Sequence, residues 1–197
     1  MPAGVEGSVE GRSIRGKIRL FLNLLSLSRI PTGFLFLVLL VEGRLFLSFL
    51  VFLIGAFSDK LDGFFAKKYR IEKDEVGRVI DPVSDRVFVV LSFLALYLAP
   101  LRVDVSWWAV LFTVGQDFLL APIGAYATLK KRRIVVSVFG KLSTLYQYLF
   151  VPFVLLVNLY SLHISLLYAE LLLILFNLLS AGHHVYLWLL KEKNEAF

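Results

Sequence analysis

The chain has 197 residues, of which 58% are hydrophobic and 18 are Phe, and its mean hydropathy is +0.78. This composition predicts an integral membrane protein. A transmembrane helix takes about 20 apolar residues, so the apolar segments leave no room for a separate soluble catalytic domain. The lack of Cys excludes disulfides, thiol nucleophiles and cysteine metal sites. The net charge of +6 fits basic loops against anionic lipid better than nucleic acid, because no basic helix or aromatic platform lies outside the apolar segments.

The order of apolar segments predicts an all-α polytopic membrane protein with six transmembrane helices. Residues 1–11 are rich in Gly, Ser and Glu, and we expect them to be disordered. Residues 12–197 are predicted to form a single membrane domain, whose basic start at 12–19 is typical of an interfacial helix. The spans are placed at Leu24–Val41, Leu45–Ala66, Gly77–Leu98, Trp107–Leu129, Lys141–Leu159 and Leu162–Leu190.

Lys and Arg are distributed unequally among the connections. Fifteen lie in the N-terminus, in the 67–78 loop, at 130–133 and in the C-terminal tail, whereas the alternate connections hold only Arg44 and Arg102. Cytoplasmic loops of membrane proteins are enriched in Lys and Arg. Both termini and the 67–78 loop are therefore predicted to be cytoplasmic.

Four aspartates lie in two pairs near the cytoplasmic ends of the second and third spans. Asp59 and Asp62 are spaced i, i+3, and Asp81 and Asp85 are spaced i, i+4, so each pair shares one helix face. Counting from the loop puts Asp62 and Asp81 roughly 6 to 7 Å deep and Asp59 and Asp85 roughly 12 Å deep. Carboxylates at this depth must be neutralised by protons or cations. Oxygen-only ligation favours Mg²⁺ or Mn²⁺, and two ions could share the cluster.

Simpler roles exist for the residues beside the acids. Gly63, Ala66 and Gly77 leave room for a ligand, but small residues also let transmembrane helices pack closely. Lys60 and Arg86 could be ion-pair partners of the acids, although adjacent positions point to different helix faces. A cation transporter could also use membrane aspartates. It should distribute them along a path, whereas these cluster at one end, and no internal repeat is evident.

The acidic segment resembles the signature of the CDP-alcohol phosphatidyltransferases, DxxDGxxAR followed by eight residues and GxxxDxxxD. Here Lys67 stands in place of the usual Arg, and nine residues instead of eight separate Lys67 from Gly77. The resemblance implies CDP-diacylglycerol as donor, a homodimer, and an active site facing the cytoplasm in the cell (inner) membrane. It implies metal ligation by Asp59, Asp62, Asp81 and Asp85, with Asp85 also the general base, and CDP binding by Asp62, Gly63, Ala66, Lys67 and Gly77.

A second motif concerns the acceptor alcohol. Gly140–Gln147, GKLSTLYQ, resembles the GKxxTxxQ run of phosphatidylglycerophosphate synthases and cardiolipin synthases, and Arg29-Ile-Pro resembles the start of their first helix. The resemblance implies glycerol 3-phosphate as acceptor, bound by Lys141, Thr144, Gln147 and Arg29. Lys141 could instead snorkel to the interface. Gln116-Asp117 stands where these synthases are expected to have Arg before an acid, so phosphatidylglycerol, inositol phosphate and serine stay open as acceptors.

Overall fold

The computed structural model is a helical bundle. It describes residue 16, residue 18 and residues 20–68, 75–129 and 138–195, with side chains described outside 59–67, 75–79, 119–129 and 187–195. Six helices run through these ranges, which contain no β-strand. They are α1 (Arg29–Val41), α2 (Leu45–Lys68), α3 (Glu75–Leu98), α4 (Trp107–Leu129), α5 (Val138–Leu159) and α6 (Leu167–Glu195). The all-helical architecture agrees with the sequence prediction, whereas the prediction of six membrane spans stays untested.

Hydropathy within the described residues singles out three helical stretches that are long and apolar enough to cross a membrane. They are Leu20–Val41, which comprises α1 and the helical residues before it, Val138–Leu159 and Leu167–Tyr186. Among the described side chains of α2, the apolar stretch is Leu45–Ser58. In α3, Asp81, Asp85 and Arg86 lie in the first half of the helix. The acids therefore interrupt the apolar pattern where the site was predicted.

The start of the last helix differs from the prediction. The sixth span was expected to begin at Leu162, but residues 162–166 are not helical and α6 begins at Leu167. Ser161 has φ +53°, in the left-handed region, and reverses the chain after α5. The five residues that follow connect this turn to α6. Hydropathy is insensitive to such a turn, because apolar residues continue through it.

The bundle has a hydrophobic core, exposes many large apolar side chains, and also buries several polar side chains. Large side chains such as Phe118 and Tyr168 are 75% and 81% exposed. Ser92, Thr113 and Asn177 are buried by contrast. Ser92 Oγ donates to the Phe88 carbonyl at 2.7 Å, so its hydroxyl is satisfied within its own helix. Exposed apolar surface on every side fits contact with lipid.

Two inner helices organise the packing. α3 packs against α1, α4 and α5, and α5 also packs against α2 and α6. Four rings join these elements. Phe52 of α2, Phe88 of α3 and Tyr148 of α5 contact one another, and Phe36 of α1 packs on Phe52. The ring centroids are 5.4 to 6.3 Å apart, a spacing typical of favourable aromatic pairs.

The amide side chain of Asn158 helps to tie one end of the bundle together. Asn158, near the end of α5, accepts hydrogen bonds from the backbone N–H groups of Arg102 and Val103 at 2.8 and 3.0 Å. Its Nδ2 donates to the Val103 carbonyl at 3.2 Å. The connection between α3 and α4 is thereby fixed to α5, at the end of α3 opposite to the acids.

Candidate active site

The contact between Gly55 and Phe88 fixes how α2 lies against α3. A Cβ placed on Gly55 would lie 2.6 Å from two atoms of the Phe88 ring. Real side chains do not approach that closely, so only glycine fits at this position. Phe88 itself is fully buried and packs on both Phe52 and Tyr148. The backbone of α2 at Gly55 therefore lies directly against a buried ring of α3.

The predicted acids lie within one or two helical turns of this contact. Asp59 follows Gly55 by four residues, which is about one turn, and Asp85 precedes Phe88 by three. One turn further lie position 62 on α2 and position 81 on α3. The side chains of Asp59 and Asp62 lie outside the described residues, whereas Asp81 and Asp85 are described and half-buried. Counted from the Gly55–Phe88 contact, the two acidic stretches therefore begin at about the same distance along their helices.

Metal ligation by this segment agrees with the chemistry of its donors. Asp81 and Asp85 stand one turn apart on α3 and offer only carboxylate oxygens, which hard divalent ions prefer. Among the side chains described, no group of three or more His, Cys, Asp or Glu could hold a metal ion. Asp59 and Asp62, the other two predicted ligands, are outside that set, so the four-carboxylate site stays a prediction.

A buried arginine contacts the predicted general base. Arg29, the first residue of α1, is 1% exposed, and its Nη1 donates to Oδ1 of Asp85, whose side chain is 33% exposed. A guanidinium in an apolar bundle is tolerated only beside a counter-charge. The sequence had implied that Arg29 binds the acceptor, and the structure places it on Asp85, 56 residues away in the chain.

The next residue on α3 makes a second ion pair, in a different direction. Arg86 Nη1 donates to Oδ1 of Asp117 on α4. Asp117 is 4% exposed and Arg86 is 42% exposed. Among the described side chains, Arg86 does not pair with the acids of the signature, because its carboxylate partner comes from α4. Neighbouring residues of α3 therefore bind two different helices.

A buried polar cluster lies where α4, α5 and α6 meet. Asn177 of α6 accepts from Ser143 Oγ at 2.6 Å and from Gln147 Nε2 at 3.0 Å, and its Nδ2 donates to Thr113 Oγ1 at 2.9 Å. All four side chains are at most 2% exposed. Sequence reasoning missed Asn177 and Thr113. The sequence did contain a signal for Asn177, because Asn177, Ser180 and His184 are spaced i, i+3 and i+7 on the otherwise apolar α6.

The predicted acceptor residues of α5 have different environments. Lys141 is exposed, and the Thr144 hydroxyl donates to the Gly140 carbonyl of its own helix at 3.0 Å. Gln147 is 1% exposed and belongs to the polar cluster. Their role in acceptor binding stays a prediction.

The predicted CDP-binding residues lie at the ends of α2 and α3 that face each other in the chain. Gly63, Ala66 and Lys67 are in the last turns of α2, and Gly77 is in the first turn of α3. Their side-chain environments are outside the described residues.

Comparison with known proteins gives the class. A model of the CDP-alcohol phosphatidyltransferase family matches residues 20–180. The chain belongs to this family, which confirms the resemblance of the acidic segment. It is therefore a transferase of phospholipid biosynthesis that releases CMP, and not a cation transporter. Enzymes of this family take CDP-alcohol substrates in a membrane and generally use divalent metal ions.

Individual relatives narrow the comparison. CDP-diacylglycerol–glycerol-3-phosphate 3-phosphatidyltransferase of Aquifex aeolicus is 32% identical over 140 residues, which are 71% of this chain and 77% of that protein. The enzyme of the same name from Haemophilus influenzae is 29% identical over 136 residues, 67% of this chain and 71% of that protein. Cardiolipin synthase (CMP-forming) of Rattus norvegicus is 32% identical over 79 residues, 40% of this chain and 26% of that protein.

Proposed function

We propose that this protein transfers the phosphatidyl group of CDP-diacylglycerol to glycerol 3-phosphate, giving phosphatidylglycerophosphate and CMP. The observation that carries the acceptor assignment is the similarity to two enzymes of that name over about two thirds or more of both chains. Cardiolipin synthesis is the second candidate. The similarity to cardiolipin synthases supports this second candidate, but it covers a much shorter part of the chain.

The reaction assigns a task to each acid. The acceptor hydroxyl oxygen attacks the phosphorus that carries diacylglycerol, the bond from that phosphorus to the CMP oxygen breaks, and CMP leaves. Asp85 takes the proton from the attacking hydroxyl. Asp59, Asp62 and Asp81 would hold one or two Mg²⁺ or Mn²⁺ ions, with Asp85 at the edge of that set. When bound, such ions offset the negative charge of the phosphoanhydride.

The remaining segments receive roles that fit this reaction. Gly63, Ala66 and Gly77 give space to the nucleotide, with Lys67 near its phosphates, and Lys141, Thr144 and Gln147 serve the acceptor. All six helices span the bilayer, with both termini and the acids on the cytoplasmic side of the cell membrane. The soluble nucleotide then enters from the cytoplasm while the acyl chains remain in lipid. The functional unit is a homodimer.

The test uses purified full-length protein in detergent with CDP-diacylglycerol and Mg²⁺, and measures CMP release for glycerol 3-phosphate, phosphatidylglycerol, inositol phosphate and serine. We expect turnover with glycerol 3-phosphate, a loss of more than about 100-fold in Asp85→Asn, and loss of turnover on chelation of the metal. Asp104→Asn is the matched control, because Asp104 is exposed in the connection between α3 and α4. Turnover with phosphatidylglycerol alone would replace the acceptor assignment, and full activity of Asp85→Asn would refute the mechanism.

A further inference from the structure

A cavity of about 100 Å³ lies at the end of the bundle opposite to the acids. Its walls come from the connection between α3 and α4 and from the end of α5 with the turn that follows. The lining residues are Arg102, Val103, Val157, Ser161, Leu162 and His163. A cavity of roughly 10 to 15 Å³ already holds one water molecule. This cavity therefore has room for a larger polar group.

The polar side chains of the cavity offer hydrogen-bond donors. Arg102 Nη1 donates to Ser161 Oγ at 2.9 Å, which leaves the Ser161 hydroxyl hydrogen and further N–H groups of the guanidinium for a ligand. The ring of His163 adds an N–H group. Such a set of donors suits a ligand that carries several acceptor oxygens.

The charge of Arg102 is not neutralised by an ion pair within the described residues. Glu170 is 7% exposed, and its Oε1 accepts from the backbone N–H of Ser106 at 2.8 Å. Asp104 is exposed in the same connection and forms no ion pair with Arg102. A guanidinium without a carboxylate partner binds oxyanions well, because its planar fork matches the oxygens of a phosphate.

The backbone around the cavity is fixed by its own hydrogen bonds. The Asn158 side chain accepts from the N–H groups of Arg102 and Val103 at 2.8 and 3.0 Å. Ser161 has φ +53°, and the N–H of the next residue, Leu162, donates to the Val157 carbonyl at 2.9 Å. A ligand therefore has to order side chains alone, which reduces the entropic cost of binding.

Exposed aromatic side chains flank the cavity in the chain. Trp107 and Trp108, at the start of α4, are each 50% exposed, and Tyr160, the residue before Ser161, is 69% exposed. Trp and Tyr are enriched at the level of the lipid headgroups, where an aromatic ring meets both water and hydrocarbon. The phosphate groups of phospholipids are therefore at hand at this level of the bundle.

We infer that the cavity formed by Arg102, Ser161 and His163 binds the phosphate group of an anionic phospholipid. The guanidinium and the Ser161 hydroxyl donate to phosphate oxygens, while Leu162, which is 44% exposed, offers an apolar contact to an acyl chain. A zwitterionic phospholipid binds less tightly, because its ammonium group offsets the phosphate charge. The site lies at the other end of the bundle from the acids and is independent of the transfer reaction.

The test uses purified full-length protein in a neutral detergent and native mass spectrometry, which resolves successive bound lipids, with phosphatidylglycerol and phosphatidylcholine at equal concentrations. Wild type should bind phosphatidylglycerol more tightly. Arg102→Gln should weaken the binding of one phosphatidylglycerol by about fivefold to tenfold, because a charge and its hydrogen bonds are lost. Arg44→Gln is the matched control, because Arg44 is already paired with Glu42 at 3.0 Å, and it should change the affinity by less than about twofold.

A second variant removes a donor without risk to the fold. Glycine adopts the backbone conformation of Ser161 readily, so Ser161→Gly deletes the hydroxyl and should leave Tm unchanged or higher. Its affinity for phosphatidylglycerol should fall by about threefold or more. Phosphatidylcholine binding should change in neither Ser161→Gly nor Arg102→Gln.

Inorganic phosphate in large excess distinguishes the two sources of a phosphate group. Retention of phosphatidylglycerol in its presence supports the lipid, whereas displacement would assign the cavity to free phosphate and overturn the lipid assignment. Unchanged phosphatidylglycerol binding by Arg102→Gln would overturn the inference. Equal losses in Arg102→Gln and Arg44→Gln would also overturn it, because the effect would then be one of surface charge in general.

Discussion

The approach of α2 to α3 at Gly55 can be tested by adding one methyl group. In Gly55→Ala the new Cβ would lie 2.6 Å from Phe88 Cε2 and Cζ and 3.2 Å from Thr32 Cγ2. Phe88 is fully buried and packs on both Phe52 and Tyr148. The ring or the helices must therefore shift to admit the methyl group, which costs about 1 to 3 kcal/mol for overpacking.

Replacing glycine by alanine also stabilises the helix backbone, which opposes the cost of the clash, so a control variant must measure this gain separately. Alanine in a helix interior is favoured over glycine by about 1 kcal/mol. Gly115 of α4 is also helical, and a Cβ there would have no neighbour within 4 Å. Gly115→Ala thus gains the backbone term without the clash. We expect Gly55→Ala to be less stable than Gly115→Ala by about 1 to 3 kcal/mol.

Thermal unfolding in detergent measures this difference, and CMP release measures its effect on the site. A difference of that size corresponds to roughly 2 to 12 °C in Tm for a chain of this length. CMP release should fall in Gly55→Ala alone, because Asp59 and Asp85 lie one turn beyond the contact. In a Phe88→Leu background the penalty of Gly55→Ala should shrink. If Gly55→Ala were as stable and active as Gly115→Ala, the proposed register between the two acidic stretches would be wrong.

Two further predictions concern buried polar groups, both measured by thermal unfolding in detergent. Arg86→Gln should destabilise the protein by about 1 to 3 kcal/mol, because it leaves the carboxylate of Asp117 buried without its counter-charge. Asp117→Asn should destabilise it less, because the half-exposed Arg86 can turn to solvent. A larger loss of stability in Asp117→Asn than in Arg86→Gln would contradict this account. Asn177→Leu should destabilise the protein by about 2 to 5 kcal/mol, because it removes the shared hydrogen-bond partner of Ser143, Gln147 and Thr113. Ser143→Ala should destabilise it by about 1 kcal/mol or less. Equal losses of stability in the two variants would show that the cluster does not depend on Asn177.

The sequence was informative wherever the signal is local. Hydropathy predicted an all-helical fold, and the predicted starts of two helices, α2 at Leu45 and α4 at Trp107, agree with the structure. The spacing of the aspartates identified the family, which the comparisons confirm. These inferences depend on residues within one or two turns of each other, where helix geometry alone determines which side chains share a face.

The sequence was uninformative where helices meet. The Arg29–Asp85 pair joins residues 56 apart, and the Arg86–Asp117 pair joins residues 31 apart. Which helices are neighbours depends on their order around the bundle, which hydropathy does not encode. The same reason explains why Gly55, an unremarked glycine in an apolar run, could not be recognised as the point where α2 contacts Phe88.

Asn158 has a consequence for how the bundle can move. It holds three backbone groups of residues 102 and 103, so separating α5 from the connection between α3 and α4 would break three hydrogen bonds at once. The connection between α3 and α4 is therefore bound to move together with α5, at the end of α3 opposite to the acids.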